Sequence, residues 1–190
     1  MPTYDITLLT ESRYLDPKPG DWYVENIFED DALLRAALEK RGLKVHRTNW
    51  DDPNFDWRET RLAMFRTTWD YFDRFAEFTQ WLTATQSKTQ FVNDLQLVRW
   101  NMDKIYLGEL AGNGIPIPPT LFIDQGDERS LQEIVDETDW AEFVLKPSVS
   151  GAARHTYRFD LSNLDEYEEI FRQLIDGEDM LLQEFQHNVP

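Results

Sequence analysis

FVLKPSVSGAARHTYRF, residues 143–159, is the stretch from which the fold is most readily predicted. Two apolar runs suited to β-strands, 143–146 and 155–159, flank a loop of small side chains at 148–153. A lysine closes the first run and an arginine precedes the second. Small side chains let backbone N–H groups approach phosphate oxygens, and the two cations supply positive charge. The stretch therefore predicts a phosphate-binding loop between two strands, although many ordinary hairpins show the same bare pattern.

The second half of the chain continues this alternation of strand and helix patterns. Its order is β-α-β-β-α-β, which is typical of a small α+β unit. The six elements are predicted at residues 120–123, 130–137, 143–146, 155–159, 163–175 and 180–185.

The first half predicts a parallel α/β layer, because apolar strand patterns are separated by helical ones. The strands are expected at 4–9, 43–47 and 62–66, and the helices at 25–41 and 71–82. Residues 84–92 are polar and weakly patterned. We therefore expect two domains, residues 1–88 and residues 89–190.

A second candidate for phosphate chemistry is Lys104. The sequence predicts a helix over residues 101–112, with Asn101 as its N-cap and Gly112 at its end. Lys104 then lies in the first turns, where free N–H groups and an ammonium together suit a phosphate. The alternative is a lysine merely solvated beside Asp103.

Composition excludes several classes of function. The chain has 190 residues, 36 acidic against 19 basic side chains, a formal charge of −17 and no cysteine. This acidity argues against partners such as nucleic acid or an anionic membrane, and the lack of cysteine excludes disulfides and thiolate zinc sites. Without a signal-peptide pattern or a long apolar run, a cytoplasmic protein is expected. A triphosphate would be repelled unless cations converge locally, and Lys104, Lys146 and Arg154 are the natural candidates.

Known nucleotide-binding and metal-binding patterns are not matched. Gly151 is the single glycine of the 148–153 loop, so neither G-x-G-x-x-G nor the Walker pattern is present. The three histidines are far apart and share no metal-ligand spacing. No metal-ligating residue is assigned.

Taken together, five segments resemble the ATP-grasp superfamily. The similarity is greatest to its glutathione-synthetase-like branch, which includes the O-ureido-serine cyclo-ligases of cycloserine biosynthesis. The segments are FRTTWDY at 65–71, VRWNMDKIYLGEL at 98–110, GIPIPPT at 114–120, VLKPSVSGAAR at 144–154 and LLQEF at 181–185.

This resemblance implies a fold and a set of site residues. A pre-ATP-grasp parallel α/β domain would precede an α+β central lobe. Lys104 and Lys146 would contact the nucleotide phosphates or adenine, and a mobile loop would cover the γ-phosphate. That loop would contain Ser148, Ser150, Gly151 and Arg154, and the adenine-side hinge would be formed by Gln183, Glu184 and Phe185, the last two largely through backbone atoms.

The resemblance also implies an activity, that of an ATP-dependent carboxylate–amine ligase. Such an enzyme phosphorylates a carboxylate, and an amine then attacks the acyl phosphate. ATP and Mg²⁺ are the implied cofactors, small-molecule carboxylates and amines the implied partners, and a homodimer is compatible with the family.

One departure from the family concerns its last lobe, which should begin just beyond Glu184. Since the sequence ends at Pro190, that lobe and its magnesium ligands are expected to be absent. No catalytic residue is therefore assigned, and the chain alone is expected to be inactive. Two alternatives remain open: a non-catalytic binding or regulatory module derived from an ATP-grasp protein, and an unrelated two-domain α/β protein.

Overall fold

The structure, a computed structural model, describes residues 2–16 and 20–188. The chain forms two compact units, Met1–Arg99 and Trp100–Pro190. The sequence predicts a domain boundary between residues 88 and 89, just before the strand Gln90–Val92 of the first unit. This boundary stays a prediction.

The first unit is built on a four-stranded parallel sheet. The strands run in the order β2-β1-β3-β4, and every neighbouring pair is parallel. This is the α/β layer that the sequence predicts. Its elements are β1 (Tyr4–Thr10), α1 (Trp22–Glu39), β2 (Val45–Asn49), β3 (Thr60–Thr67), α2 (Phe75–Thr85) and β4 (Gln90–Val92).

Burial of apolar side chains explains why the first strand is central. Leu8 and Leu9 are fully buried on opposite faces of the sheet, each in a separate apolar cluster. Helix α1 begins where the Asp21 carboxylate accepts hydrogen bonds from the N–H groups of Tyr23 and Val24. A strand covered on both faces leaves its carboxyl end as the place where polar side chains can gather.

The second unit contains a four-stranded antiparallel sheet in the order β5-β8-β6-β7. Helix α3 (Leu95–Met102) spans the division between the units. The predicted β-α-β-β-α-β order is present, so the predicted fold class is confirmed. The remaining elements are α4 (Tyr106–Gly112), β5 (Thr120–Ile123), α5 (Leu131–Val135), β6 (Glu142–Pro147), β7 (Tyr157–Asp160), α6 (Asp165–Ile175) and β8 (Met180–Glu184).

The two faces of this second sheet differ in character. One face packs against α5 and α6, where Phe143, Leu145 and Leu182 lie in a single buried cluster with Phe171. Strand alternation places Lys146 of β6 on the opposite face. The apolar core therefore fixes the side of the sheet on which the lysine lies.

The structure corrects the helix predicted over residues 101–112. Helix α3 ends at Met102 and α4 begins at Tyr106. In the break, the Asp103 carboxylate accepts a hydrogen bond from the Ile105 N–H at 3.1 Å, and the Lys104 N–H donates to Ser148. These contacts replace the helical hydrogen bonds, as short acidic side chains commonly do.

Candidate functional site

Lys146 is a half-buried cation on the face of the second sheet that lies opposite the α5–α6 core. In the part of the chain that the structure describes, its ammonium has no hydrogen-bond or ion-pair partner. Burial lowers its pKa from the ordinary value of 10.5 because an apolar environment disfavours the charged form. A cation held in this way without a counter-charge suits an anionic ligand.

Lys104 lies close to the same place, in the break between α3 and α4. Its ammonium donates hydrogen bonds to the carbonyl oxygens of Ser150 at 2.7 Å and Ser148 at 3.2 Å, and to Ser150 Oγ at 3.1 Å. Its pKa is lowered chiefly by burial and then by the positive charge of Lys146. The fold thus brings together two lysines that are 42 positions apart in the sequence (146 minus 104).

This pairing of like charges has an electrostatic consequence. Two partly buried ammonium groups repel each other. The carboxylate of Asp103 raises the pKa of Lys104, but its effect is smaller than those of burial and of Lys146, which lower it. An anion bound between them would favour both charged forms. A phosphate group fits this arrangement, because its oxygens can accept hydrogen bonds from Lys146, whose ammonium has no partner among the described residues, and its negative charge is favoured by the charge of Lys104.

The 148–153 loop follows directly from β6. The Ser148 N–H donates to Asp179 at 2.8 Å, and Ser150 Oγ donates to the Pro147 carbonyl oxygen at 3.3 Å. Ala152 and Ala153 both have positive φ, at 49° and 59°. Since the left-handed region is unfavourable for alanine, the loop backbone is held in a strained conformation.

Arg154 has a partner that the sequence analysis did not anticipate. Its guanidinium makes a two-pronged ion pair with Glu178, with Nη1–Oε2 at 2.9 Å and Nη2–Oε1 at 3.2 Å. Glu178 lies in the turn between α6 and β8, and no local pattern links it to the loop. Of the predicted site residues, Lys104 therefore contacts Ser148 and Ser150, whereas Arg154 forms an ion pair with Glu178.

The predicted hinge lies at the end of β8. The Gln183 amide donates to Thr120 Oγ1 at 2.8 Å. The N–H groups of Glu184 and Phe185 donate to the carbonyl oxygens of Pro119 and Glu142, respectively, at 3.0 and 2.9 Å. Backbone recognition of a ligand at Glu184 and Phe185 would therefore use their carbonyl oxygens, which can each accept more than one hydrogen bond.

The described part of the chain shows neither a cluster of metal-ligating side chains nor a membrane-spanning helix. Among residues 2–16 and 20–188, no group of three or more His, Asp or Glu side chains has the arrangement of a metal site. None of the helices described by the structure combines the length and apolar character needed to span a membrane.

The chain is similar to known proteins over most of its length. The family model of the N-terminal domain of the D-cycloserine synthetase DcsG matches residues 6–93. The cycloserine biosynthesis protein DcsG of Streptomyces lavendulae is 28% identical over 161 residues, covering 82% of this chain and 54% of the relative. The chain thus spans about half the length of this curated relative.

Solved structures show the same likeness over nearly the whole chain. A crystal structure of D-cycloserine synthetase DcsG is 25% identical with a TM-score of 0.79, and the match covers 95% of this chain and 59% of that one. An ATP-grasp RimK domain protein from Sphaerobacter thermophilus DSM 20745 is 18% identical with a TM-score of 0.64, covering 96% and 64%; at this identity it shows the fold alone. The predicted resemblance to the ATP-grasp superfamily is confirmed.

Proposed function

We propose that this chain is the N-terminal and central part of an ATP-dependent ligase that activates a carboxylate as an acyl phosphate for attack by an amine. The observation that carries the proposal is the pair of half-buried lysines, Lys104 and Lys146, beside a loop of small residues. The similarity to DcsG and to the ATP-grasp fold supports the same class of enzyme.

In this proposal the two lysines bind and orient the triphosphate. Lys146, whose ammonium has no partner among the described residues, contacts phosphate oxygens directly. Lys104 adds charge and also fixes Ser148 and Ser150, whose backbone carries the loop containing Gly151. ATP supplies the phosphoryl group, and fixed positive charge stabilises the negative charge that develops during its transfer.

Arg154 is proposed to approach the γ-phosphate when the loop closes. Its ion pair with Glu178 would then be exchanged for a charge-assisted contact with phosphate. Mg²⁺ is proposed to accompany ATP and to neutralise the phosphates. We assign no ligand for it among the described residues.

The hinge is proposed to contact adenine. Gln183 lies on the same sheet face as Lys146, because β6 and β8 pair Val144 with Gln183 and Lys146 with Leu181. The carbonyl oxygens of Glu184 and Phe185 are acceptors for the adenine amino group. We further propose a cytoplasmic location, small-molecule carboxylate and amine substrates, and a homodimer.

Calorimetric titration with ATP tests the binding half of this proposal. The unmodified chain is expected to bind ATP, and Lys146→Met to weaken binding by about tenfold or more, since it removes a charged hydrogen-bond donor. Lys88→Met, which removes an exposed lysine of the first unit, is the matched control. Equal affinity in all three proteins would refute the assigned phosphate site.

The ligase half is tested with the longest polypeptide that the gene encodes. ATP hydrolysis should require both a carboxylate and an amine and should be lost in Lys146→Met. A non-catalytic binding or regulatory module derived from an ATP-grasp protein is the second candidate, because Lys104 and Arg154 are held by Ser150 and Glu178 within the chain. ATP binding without substrate-dependent hydrolysis would favour that module.

A further inference from the structure

Arg158 of β7 lies over the aromatic ring of Phe185, the last residue of the proposed adenine-side hinge. The guanidinium carbon of Arg158 is 3.6 Å from the centre of that ring. A planar guanidinium at this distance makes a cation–π contact and stacks on the ring in a way that a lysine ammonium does not. The two residues are 27 positions apart in the sequence (185 minus 158), so the contact depends on the tertiary fold.

Glu142 of β6 connects these two residues. Its carboxylate accepts a hydrogen bond from Arg158 Nε at 2.9 Å, and its backbone carbonyl oxygen accepts one from the Phe185 N–H, also at 2.9 Å. The ion pair runs between the neighbouring strands β6 and β7. The guanidinium is therefore held by a carboxylate along its edge while its face covers the ring.

Arg158 lies on the same face of the second sheet as the proposed nucleotide site. The register pairs Arg158 with Val144, and Val144 in turn with Gln183. Residues that are directly opposite each other in a sheet share a face, and Lys146 is two positions from Val144 on the same strand. Arg158 thus belongs to the face that carries Lys146 and Gln183, although the sequence analysis did not select it.

Phe185 depends on few contacts for its position. Strand β8 ends at Glu184, so Phe185 is the first residue beyond the sheet. Within the part of the chain that the structure describes, it is held by its N–H bond to Glu142, by Arg158 on its ring, and by an edge-on contact with His187 at 5.0 Å. Loss of the Arg158 contact should therefore loosen this residue more than the strand before it.

The adjacent carbonyl oxygen of Glu184 is accessible to an amino group. The side-chain amide of Gln186 donates a hydrogen bond to it at 3.2 Å. A carbonyl oxygen can accept a second hydrogen bond, and the 6-amino group of adenine is a donor of the same kind as an amide NH₂ group. The direction of this carbonyl depends on the backbone of Glu184 and Phe185, and hence on what holds Phe185.

We propose that Arg158 is a positioning residue for adenine recognition: together with Glu142 it fixes Phe185, and it thereby aims the hinge carbonyl oxygens at the 6-amino group of the purine. This rests on the proposed function, because it takes the hinge to be the adenine side of the ATP site. A 6-oxopurine presents an oxygen to the same carbonyl groups, and two acceptors cannot pair. Arg158 therefore contributes to a preference for 6-aminopurines and not to phosphate binding.

The first measurement is amide hydrogen exchange of the 190-residue chain by NMR, without nucleotide. Arg158→Ala is expected to speed exchange at the Phe185 N–H, because the contact that covers its ring is lost. Arg129→Ala is the matched control, since Arg129 is an arginine of the same unit that also forms ion pairs, with Asp127 and Glu137. It should leave exchange at Phe185 unchanged.

The second measurement is calorimetric titration with ATP and with inosine triphosphate, which has the same phosphates and ribose but an oxygen at position 6. The unmodified chain should prefer ATP by about tenfold. Arg158→Ala should weaken ATP binding by about fivefold, the size of an exposed cation–π contact, and leave inosine triphosphate binding unchanged. Arg129→Ala should keep the full preference. Because misfolding would weaken both nucleotides, the ratio of the two affinities reports positioning and not general stability.

A double-mutant cycle tests whether Arg158 acts through Phe185. Phe185→Leu removes the ring but keeps an apolar side chain, and it should lower the preference for ATP about as much as Arg158→Ala does. The variant with both substitutions should lose no more than either single variant, because both remove the same contact. Additive losses would show that Arg158 acts by another route and would overturn the proposal.

The proposal also fails if Arg158→Ala leaves Phe185 exchange or the ratio of ATP to inosine triphosphate affinity as in the unmodified chain, or if the unmodified chain binds both nucleotides equally. If Lys146→Met still weakens both nucleotides in that case, the proposed phosphate site stands and only the role of Arg158 is refuted. A reduced ratio in Arg158→Ala, with nucleotide binding unaffected by Lys146→Met, would refute the phosphate site and leave the role of Arg158 standing.

Discussion

The Lys104 ammonium lies 2.7 Å from the carbonyl oxygen of Ser150, across 46 positions of sequence. The backbone N–H of Lys104 also donates to Ser148 at 3.0 Å, so main chain and side chain bind the same loop. Lys104 consequently supplies charge and holds the start of the loop in place. A substitution at this position should affect both properties.

Lys104→Met is expected to free the loop and weaken ATP binding. The loop loses three hydrogen bonds from the ammonium, so amide hydrogen exchange at residues 148–151 should become faster. The affinity for ATP should fall by about tenfold. In Lys88→Met both quantities should stay as in the unmodified chain; unchanged exchange in Lys104→Met would show that the lysine does not hold the loop.

Lys146→Met is expected to stabilise the chain while it weakens ATP binding. The substitution replaces a half-buried ammonium, which has no partner among the described residues, with an apolar side chain of similar length. At pH 7 the free energy of unfolding should rise by about 1 kcal/mol, a usual gain when a residue that serves binding rather than stability is replaced. Chemical denaturation measures it, and a clear loss of stability would contradict the proposed origin of the effect.

The gain in unfolding free energy that is expected for Lys146→Met should depend on pH. Burial places the pKa of Lys146 below 10.5 in the folded state, so the unfolded chain binds the proton more tightly. The penalty of holding the charge is complete below the folded pKa and disappears as the pH rises through it towards 10.5. The stability difference between variant and unmodified chain should therefore shrink over that range, and a constant difference from pH 7 to 10.5 would exclude this explanation.

Glu178→Gln tests the competition between Glu178 and phosphate for Arg154. The ion pair holds Arg154 in the absence of ligand, so weakening it should increase the affinity for ATP by a few-fold. Glu169→Gln, an exposed position on α6, should leave the affinity unchanged. If Glu178→Gln binds ATP no better than the unmodified chain, Arg154 does not exchange between these two partners.

The sequence predicted the strands of the second sheet because they are short runs bounded by turn residues. Strand β5 was predicted with its observed bounds, Thr120–Ile123. The face that carries Lys146 was not predicted. In β6, Phe143 and Leu145 are buried and Lys146 lies on the other face, but Val144 is as apolar as its neighbours, so the sequence shows no alternation.

Contacts between distant segments could not be predicted in the same way. The break around Lys104 is fixed by hydrogen bonds to Ser148 and Ser150, and no pattern within residues 101–112 reveals them. Strand β4 has only three residues, too few for a periodic signal, and the resemblance that suggested a role for Arg154 did not reveal its pairing with Glu178. Each of these features depends on tertiary structure that overrides local preference.

A buried ion cluster should stabilise the first unit. Asp31 of α1 is almost completely buried and accepts hydrogen bonds from Arg47 at 2.7 Å and Arg66 at 2.9 Å. Asp31→Ala leaves two partly buried guanidinium groups without this partner and should cost about 3 kcal/mol of unfolding free energy. The neighbouring Asp30 is 71% exposed, and Asp30→Ala should cost little; equal effects of the two substitutions would contradict this interpretation.

The most direct test of the phosphate site is to measure the pKa values of individual lysine side chains by NMR, with and without ATP. The chain has six lysines, so each can be assigned by substitution. A bound triphosphate favours the charged form of any ammonium beside it, so ATP should raise the pKa values of Lys104 and Lys146. At constant pH, ATP should not shift the side-chain resonances of Lys40 and Lys88, which serve as controls. Unchanged values for Lys104 and Lys146 at saturating ATP would contradict the account.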